Sequence, residues 1–450
     1  LHASGAASDP YVRIDAADPR YFSLGGDLYW PNGPNLRSVN DARSKDRMRT
    51  RLTPDRGIAA YTAFLARAAA GGANAAEVWM SPWNLALEWR ADWPGYYGQG
   101  RYNEVNAWKL DRVLDLAWER GMRINLVIHN HGQGSEGADH EWENSAYNIA
   151  NGGRLKSAAQ FFTDEWALAG QERLRRYLVA RYADHPAVLG WKLWSEQDLT
   201  SGGDALAGWH QQAAKRWREL DSYDHPITSH WCGDFTHAKA DVVASLDYVC
   251  IDAYHGQDRL ITDLLESSTA GLAVHRKPTL VTEFGGNWDG APSDAHMAME
   301  HHCGPWAALV TGHAGAPMLW WFEWIDQHEE WSAYGAIVRF LAGEDLRGGT
   351  KVSLDAGSEL WARAISRPGR LLGYLFDRNW ARQPAAARAR GGERFNVGGS
   401  IAAGAMTVEW WDADTGTATG SRRIEHPGGA LNLTAPTWRR HLAFKLLRAR

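Results

Sequence analysis

The chain has 450 residues, a formal net charge of -5 and a pI near 6.4, so it exceeds one ordinary domain and lacks the basic footprint that tracks a phosphate backbone, which argues against a nucleic-acid partner. No run of about 18 apolar residues occurs, which argues against a helical membrane span. Cys232, Cys250 and Cys303 are too few for a disulfide framework and lack CxxC spacing; buried free thiols are expected, with a Cys232–Cys250 pairing left open because the two fall near neighbouring strands.

The sequence opens Leu1-His2-Ala3-Ser4-Gly5-Ala6 without an initiator Met, as a small-residue cleavage site or an expression scar would leave it; the first of these readings points to export. Short apolar runs then alternate with amphipathic stretches, the pattern of repeated βα units. Eight strands are predicted, at 22–30, 73–80, 123–129, 188–195, 227–231, 248–254, 279–283 and 317–322, with helices such as 54–70, 106–120, 163–182 and 294–311 between them. In the third of these helices Thr163 is placed to cap, Asp164 and Glu165 sit in the positive first turn, and His185-Pro186 stops it. Eight strands with intervening helices predict a (β/α)8 TIM barrel over residues 1–345, including an N-terminal extension over 1–20, with its chemistry at the carboxyl ends of the strands. Two connections, 81–104 and 130–162, are long for this fold and predict the walls of a cleft.

After about Gly343 the pattern changes. Strands are predicted at 359–366, 370–376, 406–411 and 440–447, and Leu442, Phe444 and Leu446 alternate with Ala443, Lys445 and Leu447 as in a strand with one face on a core. A small antiparallel β-sandwich over 346–450 fits.

The 25 tryptophans stand out by placement: Trp83, Trp89, Trp93, Trp142, Trp288, Trp324 and Trp331 fall where loops are drawn. Aromatic faces in loops are platforms for the apolar faces of sugar rings, although plain packing of long loops onto a barrel would place them there as well.

Two segments carry chemistry, Gly190-Trp191-Lys192-Leu193-Trp194-Ser195-Glu196 and Leu280-Val281-Thr282-Glu283-Phe284-Gly285-Gly286. Each is a buried-looking run that ends in a glutamate, and a carboxylate at the tip of an apolar strand is costly unless it is used. A pair of such glutamates is what glycoside hydrolysis needs, one acid to protonate the leaving oxygen and one carboxylate to attack the anomeric carbon. The bland alternative for each is a buried ion pair with an arginine.

A strand-four end of the form Trp-Xaa-Xaa-Trp-Asn-Glu and a strand-seven end Thr-Glu-Phe-Gly resemble the clan-A retaining glycoside hydrolases, most closely the cellulase-type family 5 relatives. Tyr147-Asn148, Asn151-Gly152-Gly153, Phe161-Phe162-Thr163, the stretch 177–181 and the closing Trp410-Trp411-Asp412 with Thr415-Gly416 are similar to a bacterial group of such barrels with a C-terminal sandwich. The resemblance implies Glu196 as general acid/base, Glu283 as nucleophile, a carbohydrate substrate, no cofactor or metal, and a secreted or periplasmic location. Retaining chemistry wants the two carboxyls roughly 5 to 5.5 Å apart, where both cannot ionise cheaply. The resemblance also implies substrate contacts from His129, Asn130 and His131, from Tyr254 beside the nucleophile, and from Trp320 or Trp321 as a sugar floor; Trp83 and Trp231 join them as candidate substrate-binding aromatics. Ser195 stands where the family has an asparagine that holds the sugar 2-hydroxyl, and with one donor instead of two it points to an unusual pyranoside or a furanoside. Two other readings stand beside a glycosidase: a non-catalytic carbohydrate-binding barrel, and a metal-dependent hydrolase built on His129, His131 and His230.

Overall fold

The computed structural model describes residues 9–41, 47–48, 57–232, 239–256, 259–399 and 401–448. Strands β1 (Val12–Ile14), β2 (Phe22–Leu24) and β3 (Asp27–Tyr29) form an antiparallel sheet. The predicted strand 22–30 is therefore a hairpin and not a parallel strand: Gly25 and Gly26 lie at φ 61° and 90°, a left-handed pair that glycine accepts freely and that folds the chain back on itself. The position of the first parallel strand falls instead to Asn35, bridged in parallel to Glu77.

Strands β4 (Ala75–Trp79), β5 (Arg123–His129), β6 (Val188–Trp194) and β7 (Ile227–Thr228) form one parallel sheet. Strands β8 (His230–Trp231), β9 (Val249–Asp252) and β10 (Thr279–Glu283) form another, and Ser229 alone separates β7 from β8, so the predicted strand 227–231 is split at that residue. Just past β10, Phe284 bridges in parallel to Leu319, and the Leu319 carbonyl accepts from the Asn35 N–H, which returns the pairing to its start. The predicted strand 317–322 reduces to this bridge because Phe322 already opens a helix, Phe322–Gln327. Every residue of β4, β6 and β10 is buried, as expected of parallel strands covered on both faces.

The helices lie close to prediction. Residues 106–120 become Glu104–Glu119, capped by the Asn103 side chain accepting from the Asn106 N–H. The helix Glu165–Tyr182 is capped by Asp164, whose carboxylate takes the N–H groups of Trp166 and Ala167; Thr163 does not cap it. Asp294–Thr311 ends at Gly312, which sits at φ 82°. The first helix runs Gly57–Gly71; positions 54–56 of its predicted span lie outside the described residues. No helix among the described residues is long and apolar enough to cross a membrane, and the three cysteines are free.

The remaining chain holds β11 (Thr350–Ser353), β12 (Leu360–Arg367), β13 (Arg370–Asp377), β14 (Ala389–Arg390), β15 (Arg394–Asn396), β16 (Gly404–Asp412), β17 (Thr417–His426), β18 (Asn432–Thr434), β19 (Trp438–Arg439) and β20 (His441–Arg448). Six of them make one antiparallel sheet in the order β11-β12-β13-β20-β16-β17, while β14 with β19 and β15 with β18 make two short ribbons. Leu442, Phe444 and Leu446 pack into a small core with Phe395, Leu433 and Trp410, as their alternation predicts. The opposite face is buried too. Ala443 and its cross-strand neighbour Tyr374 belong to the main core, where Trp306 of the helix Asp294–Thr311 stacks on Tyr374 at 5.9 Å and donates its Nε1–H to the Ala413 carbonyl.

Candidate active site

Glu196 and Glu283 line one cavity of about 560 Å³ at the carboxyl ends of β6 and β10, together with Arg47, Trp79, His131, Asp139, Leu199, Tyr254, Trp288, Trp320 and Trp321. Local backbone explains how Glu196 reaches it. The residue lies at φ 43° and ψ 55°, a left-handed conformation that costs a non-glycine residue about 1–2 kcal/mol, and this bend turns the chain out of β6 into the short turn Gln197–Leu199.

Glu283 is 2% exposed. Tyr254 donates its hydroxyl to Glu283 Oε2 at 3.2 Å, Ser195 donates to Oε1 at 3.4 Å, and His230 Nδ1 lies 3.5 Å from the same Oε1. The backbone N–H of Glu196 donates to that Nδ1 at 3.2 Å. His230 is thus held as the neutral ring with Nδ1 accepting, in keeping with burial and the charges of Lys192 and His131, which push it well below its ordinary range. Burial and the negative Glu196 push Glu283 well above the usual carboxylate range, against the pull of Lys192 and His131. Tyr254 is itself pushed up, by burial first and then by the charges of Glu283 and Glu196, so it remains a donor.

His131 forms an ion pair with Glu196, Nδ1 to Oε2 at 2.9 Å, and a second with Asp139, Nε2 to Oδ2 at 3.2 Å. Burial alone would lower it, but the two carboxylates outweigh burial and hold it up at about 10.

The predicted site residues divide. His131, Tyr254, Trp320 and Trp321 line the cavity with the glutamates. Trp320 meets Trp79 edge-on at 5.3 Å and carries the Arg37 guanidinium over its face at 4.5 Å; Trp321 is pinned by its Nε1–H on the Gly285 carbonyl at 2.7 Å. Ser195 is fully buried with its hydroxyl on Glu283, so it serves the carboxylate and does not line the cavity. His129 is placed elsewhere: it packs against Trp194 at 4.9 Å and Phe161 at 5.6 Å, and lines a separate cavity of about 40 Å³ with Glu88, Gln133 and Tyr147. The reason is the 3-10 turn His131–Gly134, which swings His131 to the cleft while His129 stays in the strand. Asn130 is buried and donates to Glu141, and neither Trp83 nor Trp231 lines the cavity. Sequence reasoning missed Asp139, Arg47 and Leu199, which lie in connections between the predicted elements and carry no periodic signal, and Trp79, which it counted only as strand.

His129, His131 and His230 do not converge on one point. Among the described residues, two groups bring three ligating atoms within 4.8 Å of one another: Glu196 with Cys232 and Asp252, and His302 with Asp414 and His441. In the first, burial and the three surrounding carboxylates push the Cys232 thiol up, and its backbone N–H donates to Asp198 at 3.0 Å. In the second every ring nitrogen already has a partner, Asp414 and Glu330 for His302, Asp414 and Tyr374 for His441.

No protein-family model and no curated protein matches the sequence. Solved structures do match. One described as a glycoside hydrolase aligns over 98% of this chain and 98% of its own at 12% identity, with a TM-score of 0.63. A glycoside hydrolase family 5 protein from Bacteroides vulgatus covers 97% of this chain and 93% of its own at 14% identity, TM-score 0.62. The endo-β-1,4-mannanase from Thermotoga petrophila covers 92% and 97% at 13% identity, TM-score 0.52. Identities this low speak for architecture alone, and the architecture is that of the family 5 glycoside hydrolases, the group that the two glutamate motifs resemble.

Proposed function

We propose that this protein is a retaining glycoside hydrolase that cleaves poly- or oligosaccharides by double displacement, with Glu283 as nucleophile and Glu196 as general acid/base. The observation that carries the reading is the convergence of two strand-end glutamates in one cavity faced by Trp79, Trp288, Trp320 and Trp321. We read the returning parallel pairing as a (β/α)8 barrel over residues 1–345 and the antiparallel sheet with its ribbons as a sandwich-like second unit over 346–450. An exported location goes with this reading.

In the first step a Glu283 oxygen attacks the anomeric carbon, the bond to the leaving oxygen breaks, and Glu196 gives that oxygen its proton. Glu196, now ionised, then takes a proton from water as the water attacks the glycosyl-enzyme and releases Glu283. His131, with Nδ1 2.9 Å from Glu196 Oε2, holds the acid/base side chain in place through both steps. Ser195 turns to the nucleophile and leaves the sugar 2-position unread from this side, which favours a pyranoside or furanoside set differently at that carbon from common β-glucans. The long connections 81–104 and 130–162 favour exo action.

The test is a panel of aryl β-pyranosides and β-furanosides, followed by the matching 2-fluoro-sugar trap on any active pair. Glu283→Gln should abolish turnover with the fold intact, and mass spectrometry should find the trapped sugar on Glu283. Glu196→Ala should be rescued by azide on substrates with good leaving groups, since these need no proton donor. Inversion of configuration, or label on another residue, overturns the mechanism; an inert parent enzyme across the panel favours the carbohydrate-binding reading.

A further inference from the structure

For Glu283 to attack, it has to be ionised, and its burial opposes that. The hydroxyls of Tyr254 and Ser195 sit at 3.2 and 3.4 Å, the long end of hydrogen bonding, and leave room for a further counterweight. Directly beneath the site lies a charge that the chemistry above does not use. Lys192, in β6 four residues before Glu196, is 0% exposed, as is its partner Glu77. A buried pair of this kind is costly to desolvate and is seldom worth its cost in stability alone.

Its connections are unusually directed. The Lys192 ammonium has three N–H groups, and all three find acceptors: Glu77 Oε1 at 2.9 Å, Glu77 Oε2 at 3.0 Å and Thr282 Oγ1 at 2.9 Å. Thr282 immediately precedes Glu283 at the tip of β10. Glu77 in turn accepts from Asn35 at 3.1 Å, from Asn125 at 2.8 Å and from the Trp79 indole at 2.9 Å. Asn35 also donates to the Thr282 carbonyl at 2.7 Å. One ion pair therefore grips both the residue before the proposed nucleophile and a tryptophan of the cavity wall.

We infer that Lys192 is a positioning residue for the glycosidase reaction, holding the tip of β10 through Thr282 and supplying the nearby positive charge that keeps Glu283 available as a carboxylate, while Glu77 orders Trp79 against the sugar. The inference rests on the proposed function. The charge balance around Glu283 agrees with it. Glu196 and Glu77 oppose ionisation, Lys192 and His131 favour it, and Lys192 outweighs Glu77. Of the other elements facing the site, β8 brings His230, which is neutral, β9 brings Asp252 opposite Glu283 in register and the Cys250 thiol toward the ion pair, the segment after β9 brings Tyr254, and β5 brings the uncharged Asn125 to the pair.

The test reads Glu283 directly and needs no substrate. Protein labelled with [5-13C]glutamate is titrated by NMR, with the Glu283 resonance assigned by its loss in Glu283→Gln. Lys192→Met alone would strand a buried carboxylate and risks misfolding, so the variants are Lys192→Met/Glu77→Gln and Lys192→Gln/Glu77→Gln, which leave no unpaired charge; the second keeps amide donors at position 192. Both should raise the Glu283 midpoint, by less than the loss of a lone opposite charge would, because the opposing charge of Glu77 goes with the larger favourable one of Lys192. If only the Met variant shifts, hydrogen bonding and not charge is responsible and the inference fails in its electrostatic part; if neither shifts, or the midpoint falls, it fails entirely. Because the readout is a titration, an enzyme inactive on every glycoside would refute the proposed function and leave this result standing on its own.

Discussion

Removing the hydroxyl of Tyr254 is the sharpest probe of the proposed nucleophile. In Tyr254→Phe the ring still fills its place beside the cavity, and only the bond to Glu283 Oε2 is lost. A hydrogen bond to a charged group contributes about 1.5–3 kcal/mol, and its length of 3.2 Å puts this one toward the lower figure. At 1.36 kcal/mol per decade the expected loss in kcat/KM is about 10- to 30-fold, carried by kcat, since the ring that lines the cavity is retained. The acid limb of the pH–rate profile should also move to higher pH. A donor to the carboxylate favours the ionised form, so without it Glu283 ionises later as pH rises. Steady-state kinetics on the most active aryl glycoside, from pH 4 to 9, measure both effects. A loss below about threefold with an unmoved acid limb would show that Tyr254 does not hold the reacting carboxylate.

Ser195→Asn should lower kcat/KM on the whole glycoside panel, because position 195 is 0% exposed and its side chain meets Glu283; a gain on β-glucosides would mean that the serine is a degraded sugar contact. Glu88 gives a stability prediction. Burial pushes its carboxyl from the ordinary 4.5 up to about 7. Between those values the folded protein holds a proton that the unfolded chain has lost, so stability falls as pH rises, by a ceiling of about 3 kcal/mol. Glu88→Gln should remove that slope and gain relative to the parent above pH 7; equal differences in denaturant unfolding at pH 4.5 and pH 8 would contradict the assignment.

Much of this was legible in the sequence where both faces of a strand are apolar. Segments β4, β5, β6 and β10 read clearly because parallel strands buried on both sides carry continuous apolar runs, and the two glutamates stood out as the charges that end such runs. Asn35 was not legible, because Pro31-Asn32-Gly33-Pro34 precedes it and a single bridge leaves no period to read. The hairpin at Gly25-Gly26 was mistaken for an uninterrupted strand, although paired glycines between alternating residues are a turn signal. Side-chain direction was the other loss. His129 and His131 are neighbours in sequence but a 3-10 turn separates the faces they serve, and Trp83 and Trp231 are buried or partly buried away from the cavity for the same reason. Lys192 and Glu77 lay in plain sight within apolar runs, yet nothing in either segment says that the other will be opposite.

The sheet that closes the chain is covered on both faces at its middle strands β13 and β20. Its β20 strand gives Leu442, Phe444 and Leu446 to the ribbons and Ala443 to the core that holds Trp306, and Trp306 bonds to the Ala413 carbonyl across that contact. Such a piece is not a detachable accessory that could be trimmed, swapped or inherited alone. A gene cut between positions 345 and 346 should yield two insoluble fragments, each displaying aromatic surface that the other was built to cover, and the two parts should melt in a single transition. Changes in the closing sheet would then be felt in the helix Asp294–Thr311, whose N-terminal end follows the loop that carries Trp288 to the cavity of Glu196 and Glu283.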